Sequence, residues 1–139
     1  MSIKSPGQPV NAATTDANTF TATLTGYASG PTGTITYKKV GNLVTLYATA
    51  AILGTSNSTG LGMTGLSAAV TPTQTQVVRC DCMTDNSARI SGSAQVGSNG
   101  VITFLADTVT GALINSSATG FTGSGTKGLS ANWSITYAV

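Results

Sequence analysis

The side chains that could perform acid–base chemistry are few in this sequence. The chain has no histidine, and its four acidic residues are all aspartates. Asp81 and Asp85 are the closest pair, but on one continuous strand they would lie about 13 Å apart, beyond the roughly 5–9.5 Å spacing of glycosidase carboxylates. A Ser–Lys dyad built on Lys127 stays open, although nothing in the sequence favours it. The sequence therefore predicts no catalytic residues and a protein that is not an enzyme.

A glycine-rich stretch, GSGTKG at Gly123–Gly128, matches the spacing of a dinucleotide-binding loop. That fingerprint also needs a preceding strand, a following helix and a complete βαβ unit, whereas here only eleven residues remain and they have strand character. A phosphate loop fails as well, because Thr126 separates Gly125 from Lys127 and Gly128 replaces the magnesium-binding hydroxyl. We interpret the stretch as a flexible turn before the last strand and expect no cofactor.

The two cysteines, Cys80 and Cys82, stand two residues apart. On a strand their Cα atoms would lie about 6.5–7 Å apart with roughly parallel side chains, so a disulfide would be strained. A metal site needs further ligands, and the chain has no histidine and no second cysteine pair. The pattern favours two reduced apolar core residues and predicts no metal.

Three aromatic residues could stack on a sugar ring, because aromatic faces suit the apolar faces of saccharides. Trp133 and Tyr137 alternate with Ile135 on the clearest strand of the chain, which is the pattern of a core face. Tyr27 follows Gly26 in a Gly/Ser-rich loop, where we expect exposure. Tyr27 is therefore the candidate ligand-binding residue.

Composition narrows the choice of partners. About two-fifths of the residues are Thr, Ser or Gly, 40% are hydrophobic and only 7% are charged, with a net charge of +2. The basic residues do not form a stripe that could hold nucleic acid. The longest apolar run, 48–53, is far too short to insert in a membrane, and the start lacks the features of a secretory signal. We expect synthesis in a cytoplasm and a neutral partner, such as a glycan or a protein.

Alternation of apolar and polar residues predicts a β protein. Residues 1–17 show no period and read as an N-terminal arm, whereas 18–139 read as one β domain. A hairpin is expected around Val40-Gly41-Asn42. The predicted fold is an antiparallel β-sandwich of about seven or eight strands, because turn signals recur at short intervals and no segment has a helical period. The other expected strands cover 20–25, 74–82, 88–96, 101–106 and 131–139.

Two of these strands are apolar on both faces. One places Leu43 and Tyr47 against Val44 and Leu46, and the other lies at 101–106. A monomeric antiparallel sheet usually exposes one polar face to water. The pattern indicates a subunit interface, and cover by a loop of the same chain would give the same pattern.

Several segments, in this order and at this spacing, resemble a β-domain common at the C-termini of phage and prophage tail fibre proteins. The resemblance covers roughly residues 19–139. The matching segments are 20–26 (FTATLTG), 33–46 (GTITYKKVGNLVTL), 54–58 (GTSNS), 65–66 with Pro72, 125–129 (GTKGL) and 135–137 (ITY).

The resemblance implies a jelly-roll-like sandwich that assembles as a homotrimeric knob on the virion surface, after synthesis in the cytoplasm of a bacterial host. No coiled-coil or β-helical shaft precedes the domain here, so the arm at 1–17 would attach it to other virion proteins. Both a capsid decoration or head fibre and a tail-fibre tip fit this expectation. The alternative is an adhesin that binds host-surface glycans directly.

Overall fold

The computed structural model describes residues 15–55, 60–85, 87–106 and 125–139, and these form an all-β fold, as predicted. A short 3₁₀ turn at Ala68–Val70 is the one helical element in these ranges. The ten strands are β1 (Thr15–Thr25), β2 (Thr32–Val40), β3 (Leu43–Ala48), β4 (Ile52–Thr55), β5 (Gly62–Thr64), β6 (Gln76–Asp85), β7 (Ala88–Val96), β8 (Ile102–Ala106), β9 (Thr126–Leu129) and β10 (Ser134–Ala138).

The strands join into a single antiparallel sheet in the order β10-β3-β2-β1-β5-β8-β7-β6-β9-β4. The sheet curls into a half-barrel, so its inner face encloses the core, whereas we expected a sandwich of two sheets. A strongly twisted sheet of this many strands tends to curl, because each strand is rotated relative to its neighbour. Jelly-roll connectivity and trimerisation stay predictions.

The β2–β3 hairpin forms where the sequence predicted it. Val40 and Leu43 are paired, which leaves Gly41 and Asn42 as a two-residue loop. Gly41 has a φ of 61°, a left-handed conformation that the first loop residue of a tight hairpin adopts and that glycine reaches without a steric penalty. β10 then pairs with the other edge of β3, so three adjacent strands share one continuous outer face.

A β-bulge interrupts β6 after Cys80. Cys80 pairs with Gly92, but the next ladder pair is Met83 with Ile90, so two residues of β6 oppose one of β7. Strict alternation would make Cys82 the next inward position after Cys80. The bulge shifts the alternation by one residue, and Met83 is the next core side chain. Cys80 is buried and reduced, as predicted; the side chain of Cys82 lies outside the described structure.

The glycine-rich stretch at 123–128 is only partly described, and its end is not the flexible turn we predicted. Thr126 to Leu129 form β9, which pairs with β4 on one edge and with β6 on the other. Gly128 has a φ of 147°, and a Cβ there would collide with the carbonyl oxygen of Ile52. This glycine therefore permits close approach of two strands.

β1 also begins earlier than the sequence suggested. It starts at Thr15, which pairs with Val40, so residues 15–17 belong to the sheet rather than to the arm. The rest of the predicted arm, residues 1–14, lies outside the described residues.

Trp133 lies at the centre of the core, as its alternation with Ile135 predicted. Its ring meets that of Phe104 edge to face, with centroids 6.2 Å apart and an interplanar angle of 76°. Its Nε1 donates a hydrogen bond of 3.0 Å to Sγ of Cys80. Tyr137 is also a core residue, as predicted, and its hydroxyl donates to the carbonyl oxygen of Val70 at 2.6 Å.

A glutamine side chain joins β6 to β10, the first strand in the sheet order. β10 pairs with β3 along one edge only, and the backbone groups of Ala138 point to the other side. There the Gln76 amide donates to the Ala138 carbonyl oxygen, and the Ala138 N–H donates to Gln76 Oε1 at 3.1 Å. The amide thus pairs with the strand as a peptide group would, which brings β6 against β10.

Candidate interaction surfaces

The loop tyrosine chosen as a ligand-binding candidate is buried, so the expected exposure of Tyr27 is wrong. Only 6% of its surface is exposed, and its ring packs near Gly54 and Pro31. Burial raises the pKa of its hydroxyl above the ordinary value. A ring enclosed in this way offers no open face to a sugar.

The outer face of β2, β3 and β10 carries an exposed apolar pair at the hairpin end. Val40 and Leu43 are direct cross-strand partners and are 39% and 51% exposed. Ala138 of β10 extends the same row. The buried side chains of β3 all lie on the opposite face, so no described part of the chain covers this one. We call Val40 and Leu43 the apolar pair.

The middle of this outer face is polar and nearly uncharged. The hydroxyls of Thr45 and Thr136 lie 2.9 Å apart in a cross-strand hydrogen bond. Lys38, the next residue in this row, is the one charged side chain among the outward positions of β2, β3 and β10. Two threonine hydroxyls and Lys38 therefore separate the two ends of the face.

Tyr47, the other outward apolar residue of β3, lies at the far end of the face. It stands four positions after Leu43, which corresponds to about 13 Å along a strand. Tyr47 is 36% exposed and pairs across the sheet with Ser134. Leu43 and Tyr47, which the sequence assigned to one interface, therefore lie at opposite ends of the outer face.

An open cavity of about 410 Å³ lies beside Tyr47. The end of β3, the start of β10 and the turn between β9 and β10 form its walls. That turn is closed by a hydrogen bond of 3.1 Å from the Trp133 N–H to the Ser130 carbonyl oxygen, and Asn132 is exposed within it. The lining residues are Tyr47, Ala48, Thr49, Ala131, Asn132, Trp133 and Ser134. We call this space the Tyr47 cavity.

A second cavity, of about 190 Å³, adjoins the first because Asn132 lines both. Arg89 is the one charged residue among its described lining residues. A third cavity, of about 270 Å³, lies at the turn between β7 and β8 and is lined by small polar residues and Val101, without an aromatic ring. Of the three, the Tyr47 cavity is the one that combines an exposed ring with hydroxyl and amide groups.

The remaining chemistry-bearing residues are dispersed. Arg79 and Asp81 form an exposed ion pair at 3.4 Å. Lys127 is fully buried, at the register position opposite Asp85, whose side chain lies outside the described structure. Burial raises the pKa of the Tyr37 hydroxyl, and the Asp16 carboxylate, which accepts its hydrogen bond at 3.3 Å, raises it further. Within the described ranges, no group of three or more His, Cys, Asp or Glu could hold a metal.

Fold and surface together define a small all-β protein with a nearly uncharged outer face, an exposed apolar pair and an open aromatic cavity. No known protein-family profile matches the chain, and a search of curated proteins finds no detectable relative. Among the described residues, no helix is long and apolar enough to cross a membrane.

Sequence reasoning did not find the Tyr47 cavity. Tyr47 was assigned to a strand with two apolar faces, and Asn132 fell within the expected strand at 131–139, but nothing connected them. Their proximity depends on the pairing of β3 with β10, two strands that are far apart in the chain. The one available signal was an aromatic residue on the solvent side of a strand whose other side is continuously apolar.

Proposed function

We propose that this protein is a non-enzymatic structural component of a tailed-phage virion, a homotrimeric surface knob. The observation that carries the proposal is the apolar pair, since a strand with a complete core face also exposes Leu43 beside Val40. Exposed apolar residues that lie together mark interaction surfaces more often than scattered ones do.

The charge and position of the apolar pair suit association between identical subunits. Of the outward positions on β2, β3 and β10, only Lys38 is charged, so this face can pack against a neighbouring subunit with little electrostatic repulsion. A ring of three also uses two different patches of each subunit, which keeps identical lysines apart. The number three comes from the resemblance to tail fibre domains.

Three of the six segments that carry this resemblance lie in neighbouring strands of the sheet. The segment 20–26 lies in β1, and 33–46 spans the β2–β3 hairpin. The segment 135–137 lies in β10, on the other edge of β3. Three of the six matching segments therefore lie on the four strands around the proposed interface, which supports the assignment.

The entry point of the chain supports attachment at the same end. β1 begins at Thr15 opposite Val40, so the residues before β1 join the sheet at the end that carries the apolar pair. We propose that residues 1–14 of the predicted arm contact other virion proteins there. Capsid decoration, head fibre and tail-fibre tip all fit this arrangement.

Light scattering behind a sizing column tests the self-association. We expect a native mass about three times the 13.8 kDa of the subunit. Val40→Thr with Leu43→Thr should yield monomers, because threonine suits a strand and removes apolar area from a surface position. The matched control is Val77→Thr with Leu53→Thr, which changes two exposed apolar residues outside the outer face of β2, β3 and β10 and should leave the trimer intact. A monomeric wild-type protein would contradict the proposal.

The virion assignment has its own test. Gold-labelled antibody on intact particles should mark a defined position on the head or the tail, and mass spectrometry of purified particles should detect the chain. Its absence from purified particles would overturn the assignment, whatever the native mass.

A second candidate, a glycan-binding adhesin, is favoured by the Tyr47 cavity. The two functions are compatible, because the cavity lies at the end of the outer face away from the apolar pair. Tyr47 lies about 13 Å along β3 from Leu43.

A further inference from the structure

We infer that the Tyr47 cavity is a saccharide-binding subsite, in which the Tyr47 ring stacks on one sugar unit and Asn132 bonds its hydroxyls. This inference rests on the second candidate function and gives it a location and a ligand class. It replaces Tyr27, whose ring is buried, as the residue that meets a glycan.

The aromatic ring of Tyr47 is held at the surface by the sheet. Tyr47 points outward because its neighbours Leu46 and Ala48 fill the core. Its cross-strand partner is Ser134, whose side chain is too small to cover the ring. A rigid ring at the edge of an open cavity binds at a low entropic cost, since a tyrosine has only two side-chain torsions to fix.

The polar groups around the ring match a sugar in type. Asn132 carries both a donor and an acceptor on its amide, and the hydroxyls of Thr49 and Ser134 can each donate or accept. Sugar hydroxyls have the same dual character. The cavity volume of about 410 Å³ lies within the roughly 300–1,000 Å³ of small-ligand pockets.

The ligand is longer than one sugar unit. Asn132 lines both the Tyr47 cavity and the adjoining 190 Å³ cavity, so a chain bound at Tyr47 continues past Asn132. The structure therefore points to an oligosaccharide rather than a single sugar as the ligand.

An array of purified bacterial capsular and O-antigen polysaccharides tests the subsite with the full-length protein. We expect the wild type to bind a subset of these glycans. Tyr47→Leu should lower the affinity at least about tenfold, which corresponds to about 1.4 kcal/mol. Asn132→Ala should weaken the same interaction. Tyr47→Phe keeps the ring and should retain most of the affinity, because stacking needs the ring and not the hydroxyl.

The controls separate this subsite from the proposed trimer. Tyr47→Leu should keep the wild-type native mass and unfolding curve, so that its loss of binding is local. Failure of the wild type to bind any polysaccharide on the array would overturn the subsite and leave mass and particle labelling unaffected. Undiminished binding by both Tyr47→Leu and Asn132→Ala would also overturn it.

Discussion

Two polar side chains at the centre of this core are bonded to a backbone oxygen and to a sulfur atom. Tyr137 donates to the Val70 carbonyl oxygen at 2.6 Å, and Trp133 donates to Sγ of Cys80 at 3.0 Å. With 7% charged residues in the whole chain, ion pairs are scarce, so such single hydrogen bonds fix the core. A buried donor or acceptor that loses its partner costs its full desolvation energy.

Tyr137→Phe should therefore destabilise the fold by about 1–3 kcal/mol, because the Val70 carbonyl oxygen loses its partner. It should also reduce the loss of stability at alkaline pH. Burial raises the pKa of Tyr137 above its ordinary value of 10.0. The unfolded chain then ionises first as the pH rises above about 10, which favours unfolding of the wild type. Urea unfolding at pH 7 and between pH 9 and 11 measures both effects.

Tyr47→Phe is the matched control at pH 7, since it removes an exposed hydroxyl and should change stability by less than about 0.5 kcal/mol. Equal stability of Tyr137→Phe and wild type at pH 7 would show that the bond to Val70 contributes nothing. An unchanged alkaline slope would show that Tyr137 does not cause the pH dependence.

At the residue scale, the sequence predicted burial correctly where apolar and polar residues alternate along a strand. Trp133 and Tyr137 were assigned to the core because they share a strand face with Ile135, and both are buried. Tyr27 lies between strands, where no period applies, and its burial depends on packing near Gly54 and Pro31. A contact of that kind is formed only after the sheet has curled, so local sequence does not reveal it.

At the scale of the elements, Gln76 resolves the problem of an exposed strand edge. An edge strand presents unpaired N–H and C=O groups that can pair with another chain. On β10 the groups of Ala138 are taken by the Gln76 amide, which carries one donor and one acceptor as a peptide does. This side chain holds β6 against β10 in place of a full ladder of backbone bonds.

Gln76→Glu should weaken that junction, because a carboxylate cannot donate to the Ala138 carbonyl oxygen and instead faces it with a negative charge. We expect faster hydrogen exchange at the Ala138 amide and a loss of about 1–3 kcal/mol in unfolding free energy. Amide exchange followed by nuclear magnetic resonance, with urea unfolding, measures both.

Gln95→Glu provides the control, since this exposed glutamine on β7 makes the same change in charge. It should keep wild-type exchange at Ala138. An equal response of the two variants would assign the effect to charge alone and contradict the role of Gln76 in joining β6 to β10.

Features formed by local contacts and features formed by non-local pairing differ in how far the sequence predicts them. The β2–β3 hairpin depends on Gly41 and two adjacent periodic segments, and it was predicted correctly. β9 was mistaken for a turn because its four residues include Gly128, and it becomes a strand only by inserting between β4 and β6. The bulge after Cys80 has no signal in the alternation either. Non-local pairing decides both features.

At the scale of the whole molecule, the outer face of β2, β3 and β10 carries a different candidate interaction site at each end. The apolar pair lies at the hairpin end, where β1 enters the sheet, and the Tyr47 cavity lies at the other. A knob that assembles and attaches at one end and presents a glycan subsite at the other would keep both functions accessible. The sequence indicated an interface on β3 but not this division.

Assembly through the apolar pair makes stability depend on concentration. If the folded subunit associates and the unfolded chain does not, mass action raises the Tm as the protein concentration rises. We expect the wild-type Tm to increase by several degrees over a hundredfold range of concentration. Val40→Thr with Leu43→Thr should give one lower Tm at every concentration, because its outer face no longer supports association. Differential scanning fluorimetry over a dilution series measures the dependence.

Val77→Thr with Leu53→Thr serves again as the control and should retain the wild-type dependence, because it leaves the apolar pair unchanged. A wild-type Tm that does not vary with concentration, together with a monomeric mass, would mean that Val40 and Leu43 are exposed without a partner of their own kind. A concentration-dependent Tm in the Val40→Thr, Leu43→Thr variant would place the interface elsewhere on the sheet.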